Sequence, residues 1–448
     1  MTQTQELPFH LRGNFAPVKE EITAFDLEVE GALPPQLSGL FARNGANPVT
    51  GWSPHWFVGH GMVHGVRLEA GRAAWYRNRY VRTPLFEDPE MQRISPTGDV
   101  NREASAANTH LVAHAGRLMA LEEGAYPWLL DAQLETVGCE DFSGQLRTAF
   151  TAHPKICPVT GELLAFGYGQ FPPYLTYHRI SAEGKLLQSE VIEVPGPTMI
   201  HDFAITESHA IFLDLPVVFD LQAALKGTMP FKWDDAYGAR IGVMPRNGKG
   251  AEVRWFEVQP CYIFHTMNAH EDGEEVVVDA CRSSEMWRDA GDMQSAGRQT
   301  LHRFRLNLSS GAVREETLDE RGMEFPRIAD ARVGQKNRYG YTVQFAPASD
   351  GSPSFAGHMK FDFRSGKAES HDYGAQCVAG EPVFAAAPGA DSDSDEGFVL
   401  SYLHDEKSGK SELVVLDASR FQSAPVARVK LPQRVPYGFH GSWIADPV

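Results

Sequence analysis

The chain has 448 residues, 42% of them apolar, which is material for one large repetitive fold or for two or three ordinary domains. A net charge of -17 excludes a protein built to neutralise nucleic-acid phosphates and disfavours binding to an anionic membrane surface. No apolar run reaches the roughly 18 residues that span a bilayer, and MTQTQELPFHLRGNF lacks the charged start and apolar core of a signal peptide. Cys139, Cys157, Cys261, Cys281 and Cys377 are scattered and form no CxxC pair, so the expectation is a cytoplasmic protein in which nitrogen or oxygen holds any metal.

In chain order, FDLEVEGALPPQLSGL from Phe25 reads as a short strand and a Pro-Gly turn, and FARNGANP ends on Asn and Pro. GMVHGVRLE and AAWYRNRYVRT are two strands joined by the turn AGR, and NTHLVAHAGRLMALEE repeats that format. The habit continues through GELLAFGYG, HAIFLDLPVVFDL, EEVVVDACR, YGYTVQFA, HMKFDFRSGKAESHDY, FVLSYLHDEKSGKSELVVLDA and PVARVKLP, all short, β-branched or aromatic, and bounded by turn residues. Two stretches break the pattern: DLQAALKGTMPFKW from Asp220 and SSEMWRDAGDMQSA from Ser283 read as short helices or loops that could cap a face, line a ligand entrance, or pack locally. The acidic run in AAAPGADSDSDEG from Ala385 reads as a solvated hairpin tip.

Many short hairpins predict an all-β protein, either an array of sandwiches or a β-propeller. Four histidines help to choose: His153, His201, His265 in YIFHTMNAHED, and His440 in YGFHGSW. Their gaps of 48, 64 and 175 residues (153 to 201, 201 to 265, 265 to 440) approximate one, one and three repeats of a blade of about 50 to 60 residues. In a propeller the innermost strands meet on the axis, where these four would bind one divalent first-row metal. Neutral imidazoles need carboxylates on their outer N–H groups, and Glu123, Glu324 and Glu381 stand in apolar, strand-edge contexts suited to that task. Glu122 is expected to point to the opposite face from Glu123.

Rival constellations are weaker. His60 and His64 have the spacing of a zinc helix, but Gly61 and the missing adjacent Glu spoil the HExxH pattern. His270 with Asp272, and His404 with Glu406, have the H-x-D/E spacing of a two-histidine, one-carboxylate iron site; the second sits in a polar turn and the first follows His265 on one strand end.

From LSGLFARNGANP and GMVHGVRL through AHPKICPVTGEL, HDFAITE, FHTMNAHED, MEFPRI and GEPVF to GFHGSW, nearly the whole chain resembles the carotenoid cleavage oxygenases, which include the retinal-pigment-epithelium isomerase and the lignostilbene-cleaving enzymes. The resemblance implies a seven-bladed β-propeller, one domain over residues 1–448, with loop and short-helix cap segments at about 213–246 and 281–298 over the iron face. It implies one Fe(II) per chain on His153, His201, His265 and His440, outer partners Glu123, Glu324 and Glu381, and Thr109 beside an open coordination position. The implied activity is O2-dependent scission of a carbon-carbon double bond into two carbonyl fragments, without a protein acid or base. In the stilbene and phenylpropanoid branch a lysine precedes the first outer glutamate and meets the substrate phenol; this chain has Glu122 there, which favours a carotenoid or apocarotenoid. Stilbene cleavage and a non-catalytic polyene-binding propeller are the alternatives, and peripheral membrane contact for substrate uptake stays open. WFVGHGMVHG also departs from the family's aspartate-containing turn at Val58 and His60.

Overall fold

The computed structural model describes residues 7–95, 99–225, 229–288, 297–346 and 352–446. Hairpins in the sequence become antiparallel sheets: seven blades and one separate two-stranded sheet among the described residues. The middle strand Gly397–Asp405 is buried along nearly its whole length, as its run of apolar residues requires, whereas the outer Leu186–Ile192 alternates between half-buried and exposed positions. Blade faces pack on one another, so the core lies between blades. Ile211, Ile241 and Phe256 of the fourth blade meet Val276, Val278 and Phe304 of the fifth, and burying each such side chain contributes about 1.5–3 kcal/mol.

Ring closure is double. Val29–Gly31, near the start of the chain, pairs with Ala427–Lys430 as the outer strand of the seventh blade. Gly441–Ala445, at the other end, pairs with Gly39–Arg43 as the inner strand of the first. Arg67 reinforces this seam through a bidentate contact with Asp446 at 2.8 and 2.6 Å.

Blade strands trim the ends of the two cap ranges, 213–246 and 281–298. HAIFLDLPVVFDL divides at Leu215-Pro216: His209–Asp214 pairs with Arg240–Pro245 inside the fourth blade, while Val217–Phe219 pairs with Phe231–Trp233 in the separate sheet, with the helix Leu221–Leu225 between them. The excursion from the propeller thus lies within 215–239, because the ends of the 213–246 range are blade strands. Likewise Glu275–Ser283 is a blade strand, and residues 289–296 lie outside the described residues. The acidic loop is less solvated than expected: Asp395 binds Lys360 at 2.5 Å and Asp393 binds Arg364 at 2.9 Å. No helix among the described residues is long and apolar enough to cross a membrane.

Candidate metal centre

Each blade delivers something to the axis. His440 immediately precedes the inner strand Gly441–Ala445 of the first blade, His153 precedes Lys155–Ile156 of the third, His201 precedes Ala204–Ile205 of the fourth, and His265 lies in Tyr262–Asp272 of the fifth. Glu324 lies in Met323–Arg327 of the sixth blade, Glu381 between the two short inner strands of the seventh, and Thr109 just before the inner strand His110–His114 of the second. Glu123 follows the next strand of that blade. The 48- and 64-residue gaps are therefore one blade each and the 175-residue gap is three.

Local irregularities aim these side chains. The pairing of Tyr262–Asp272 shifts register between Ile263 and Thr266, and a bulge of this kind re-aims a side chain, here His265. At Glu324 the pairing also breaks, and Phe325 takes a φ of 51°, which is strained for a bulky residue. This turn lets the Phe325 N–H donate to Glu324 Oε2 at 2.5 Å. His440 is held by its backbone, its N–H donating to Thr109 O and its carbonyl accepting from Asn44 N–H, both at 3.1 Å.

One candidate ligand atom from each histidine lies within 4.8 Å of all the others. The Nε2 atoms stand 3.0 Å apart between His153 and His201, 3.0 Å between His201 and His265, and 3.1 Å between His265 and His440. The opposite ring nitrogens explain what these contacts are. His265 Nδ1–H donates to Glu324 Oε2 at 2.5 Å, His440 Nδ1–H to Glu381 Oε1 at 3.0 Å, and His201 Nδ1–H to Glu123 Oε1. That tautomer leaves Nε2 a bare lone pair on each ring. Lone pairs so close repel unless they share a cation. Metal–nitrogen bonds of about 2.1 Å at right angles separate neighbouring nitrogens by about 3.0 Å, whereas a tetrahedron separates them by about 3.4 Å. The donor set thus fits a six-coordinate type of ion with open positions better than tetrahedral zinc. His153 alone has no carboxylate on its ring among the described residues.

Electrostatics agree. Burial holds the pKa of His153 and His440 well below the ordinary imidazole value and takes His265 to about 3, so these rings are neutral and able to serve as ligands. Burial opposes charge on His201 too, but Glu123 outweighs it and raises that pKa. Burial also pushes the Glu324 carboxyl up to about 8, and its Oε1 is buried without a partner, an arrangement that a dication beside His265 would relieve. The outer glutamates differ in their further contacts: Glu123 Oε2 accepts from Tyr168 O–H at 2.5 Å, and Glu381 lies 3.5 Å from Arg327 Nη1.

His201, His265 and His440 line a cavity of about 930 Å³ walled by aromatic residues, among them Phe57, Phe264, Phe325, Phe355 and Phe439. Thr109 also lines it, its Oγ1–H donating to Asn108 Oδ1 at 2.9 Å. Met229, Pro230 and Phe231, from the excursion out of the fourth blade, complete one wall. Phe264 and Phe439 were open to sequence reading, since each immediately precedes a candidate ligand histidine. Glu122 departs from expectation: it is buried, lines the cavity, and is paired with Arg93.

The rival constellations do not assemble. His64 bonds the Tyr76 hydroxyl and His60 accepts from Val49 N–H, so they do not share a site. His270 is buried in the fifth blade apart from the four-histidine group, and His404 bonds Ser411 while Glu406 accepts from Tyr437. All five cysteines are free, and none joins the group.

The sequence profile described as "Retinal pigment epithelial membrane protein" matches residues 15–445. The chain belongs to this family. Within the family it is 37% identical to a carotenoid 9,10(9',10')-cleavage dioxygenase 1 of Pisum sativum, over 98% of this chain and 91% of that one. It is 37% identical to a carotenoid cleavage oxygenase of Mycobacterium tuberculosis, over 97% of each chain. Among solved structures, the Pseudomonas brassicacearum lignostilbene dioxygenase superposes with a TM-score of 0.89 at 30% identity, covering 98% of this chain and 100% of that one. The Synechocystis apocarotenoid oxygenase gives 0.86 at 27% identity, covering 97% and 98%.

Proposed function

We propose that the chain is a non-haem Fe(II) dioxygenase that cleaves a carbon-carbon double bond of a carotenoid or apocarotenoid into two carbonyl products. The observation that carries this reading is the convergence of bare imidazole nitrogens, 3.0–3.1 Å apart, at the wall of a large aromatic cavity. His153, His201, His265 and His440 would hold one ferrous ion, with Glu123, Glu324 and Glu381 fixing the rings and Thr109 crowding an open position. When bound, the iron supplies O2 activation at its open positions.

The chain's own residues bind and orient. Phe264 and Phe439 stand beside ligand histidines and exclude water, and the aromatic walls favour an extended apolar substrate placed for reaction. No side chain is assigned as acid or base. Met229, Pro230 and Phe231 of the excursion, with Met286 beyond the strand Glu275–Ser283, act as a cap that shapes the entrance. Val58 lines the cavity and is 49% exposed, and Trp52 and Ile94, at 60% and 44%, stand near lining residues in the chain; they support peripheral contact with an apolar surface during substrate uptake. Five free cysteines fit a reducing cytoplasm.

The test combines metal analysis of protein made with ample iron and mass spectrometry of products from carotenoids and apocarotenals under air. Iron-loaded protein that leaves them all intact refutes the reading. Cleavage of a stilbene or phenylpropenoid is the second reading, motivated by the scaffold shared with the lignostilbene dioxygenase. Rapid turnover of resveratrol without turnover of apocarotenals would place it first.

A further inference from the structure

The cavity wall is largely aromatic and aliphatic, yet Glu122 and Arg93 form an ion pair in it. Arg93 Nη1–H donates to Glu122 Oε2 at 3.2 Å, and Nη2–H donates to Oε1. The Glu122 side chain is 10% exposed and that of Arg93 33%, and both line the cavity. A pair of ions in such a wall sacrifices hydration that well-packed apolar side chains would not. The pair packs directly over Gly124, where a Cβ would lie 2.9 Å from Arg93 Nη2 and 3.3 Å from Glu122 Oε1. Arg93 is fixed from behind, its carbonyl accepting from Asn101 N–H at 2.8 Å.

We propose that Arg93 and Glu122 form a hydroxyl-reading subsite, so that the substrate carries a neutral hydroxyl group on the end that lies against them. The inference rests on the double-bond cleavage proposed above and adds the substrate's end-group chemistry. The pair as a whole is neutral, so it offers little to a carboxylate or phenolate, which Glu122 repels. A hydroxyl accepts from the guanidinium and donates to the carboxylate at once. An aldehyde or ketone only accepts, and an unsubstituted ring does neither. Because the ions satisfy each other when no hydroxyl is present, discrimination is smaller than at a site left with unpaired groups, about 10- to 100-fold. The subsite also acts as a ruler. Glu122 adjoins Glu123, whose carboxylate accepts from His201, so the hydroxyl is held at a fixed span from the metal ligands and selects which double bond reaches them.

The test compares zeaxanthin with β-carotene, and a ring-hydroxylated apocarotenal with its deoxy counterpart, in the wild type and in the double variant Arg93→Met/Glu122→Leu. Expected are a preference of about 10- to 100-fold for the hydroxylated member in kcat/KM, its collapse to within about 3-fold in the double variant, and a wider spread of cleavage positions by mass spectrometry. Metal content and melting temperature should stay close to wild type, since apolar replacement of a buried pair is often neutral or stabilising. Equal use of both members by the wild type, or a preference that survives the double substitution, overturns the subsite. Should no probe be cleaved, the catalytic reading fails, and affinities from quenching of tryptophan fluorescence still decide the subsite by the same ratio. If the double variant does not fold, Glu122→Gln reads it: a fallen ratio supports the subsite and an unchanged one overturns it.

Discussion

Phe325 stacks on His265 with 5.4 Å between ring centroids and 25° between planes, and it does so from a backbone φ of 51°. Its ring also meets His440 edge-on at 5.3 Å. The left-handed backbone and the ring contacts can be separated by substitution. Phe325→Gly and Phe325→Ala both remove the ring and should both lower kcat/KM about 10-fold, through looser histidines. The glycine variant should nevertheless be more stable than the alanine variant by about 1 kcal/mol, the reverse of the usual order, because only alanine meets a Cβ penalty at positive φ. Thermal melts of the two proteins decide it; an alanine variant as stable as the glycine one would remove strain from the account.

His265 and His270 lie on the same strand, and both are buried, but only His265 belongs to the four-histidine group. His265→Ala should lose bound iron after dialysis, while His270→Ala keeps it and loses only stability, about 1–3 kcal/mol for a buried polar side chain. Metal analysis of the two variants checks this, and equal iron contents would contradict the assignment.

Glu324 holds His265 from behind, so Glu324→Gln should weaken metal affinity by about 10- to 100-fold. Glu122→Gln, one residue from another outer glutamate, should leave metal affinity unchanged. Competition with a chelator measures both.

The spacing of the Nε2 atoms predicts a spectrum. Co(II) taken up by the iron-free protein should show the weak d–d bands of five- or six-coordinate cobalt. Intense tetrahedral bands would mean that the four nitrogens rearrange around the ion.

Acid should destabilise the metal-free protein through histidines far from the centre. His178 and His358 are fully buried, and burial lowers each to about 4 from an ordinary value near 6.5. The unfolded chain therefore binds more protons between these values, so the stabilisation is complete above about pH 6.5 and is lost as pH falls toward 4, roughly 3 kcal/mol for each group. Melts of chelator-treated protein across that window should show the slope, and His178→Gln should lessen it by that residue's share.

The blade repeat and the four-histidine cluster were legible because each histidine ends a short apolar run at a multiple of one repeat, and the outer glutamates because apolar neighbours surround a charge that needs a partner. Three features left no local trace. The Arg93–Glu122 pair joins two loops of unremarkable composition, so Glu122 looked like the outward neighbour of Glu123. Tyr168 meets Glu123 across two blades. The extent of the cap was overread because HAIFLD and IGVMP are apolar whether they lie in a blade or outside one, and only pairing partners settle it. In the acidic loop, Asp393 and Asp395 found cations on one hairpin of the sixth blade, Phe355–Asp362 with Lys367–Asp372, that composition could not assign.

The double seam has a consequence for when the protein becomes competent. His440 sits at the start of the strand that closes the first blade against Gly39–Arg43, so the fourth histidine is fixed on the axis only once Gly441–Ala445 has been made and has locked onto Gly39–Arg43. Metal uptake would then report that the circle has shut: chains cut short before His440 would carry three of the four imidazoles and an unclosed ring, and the same missing strand would deny them both the ion and the fold.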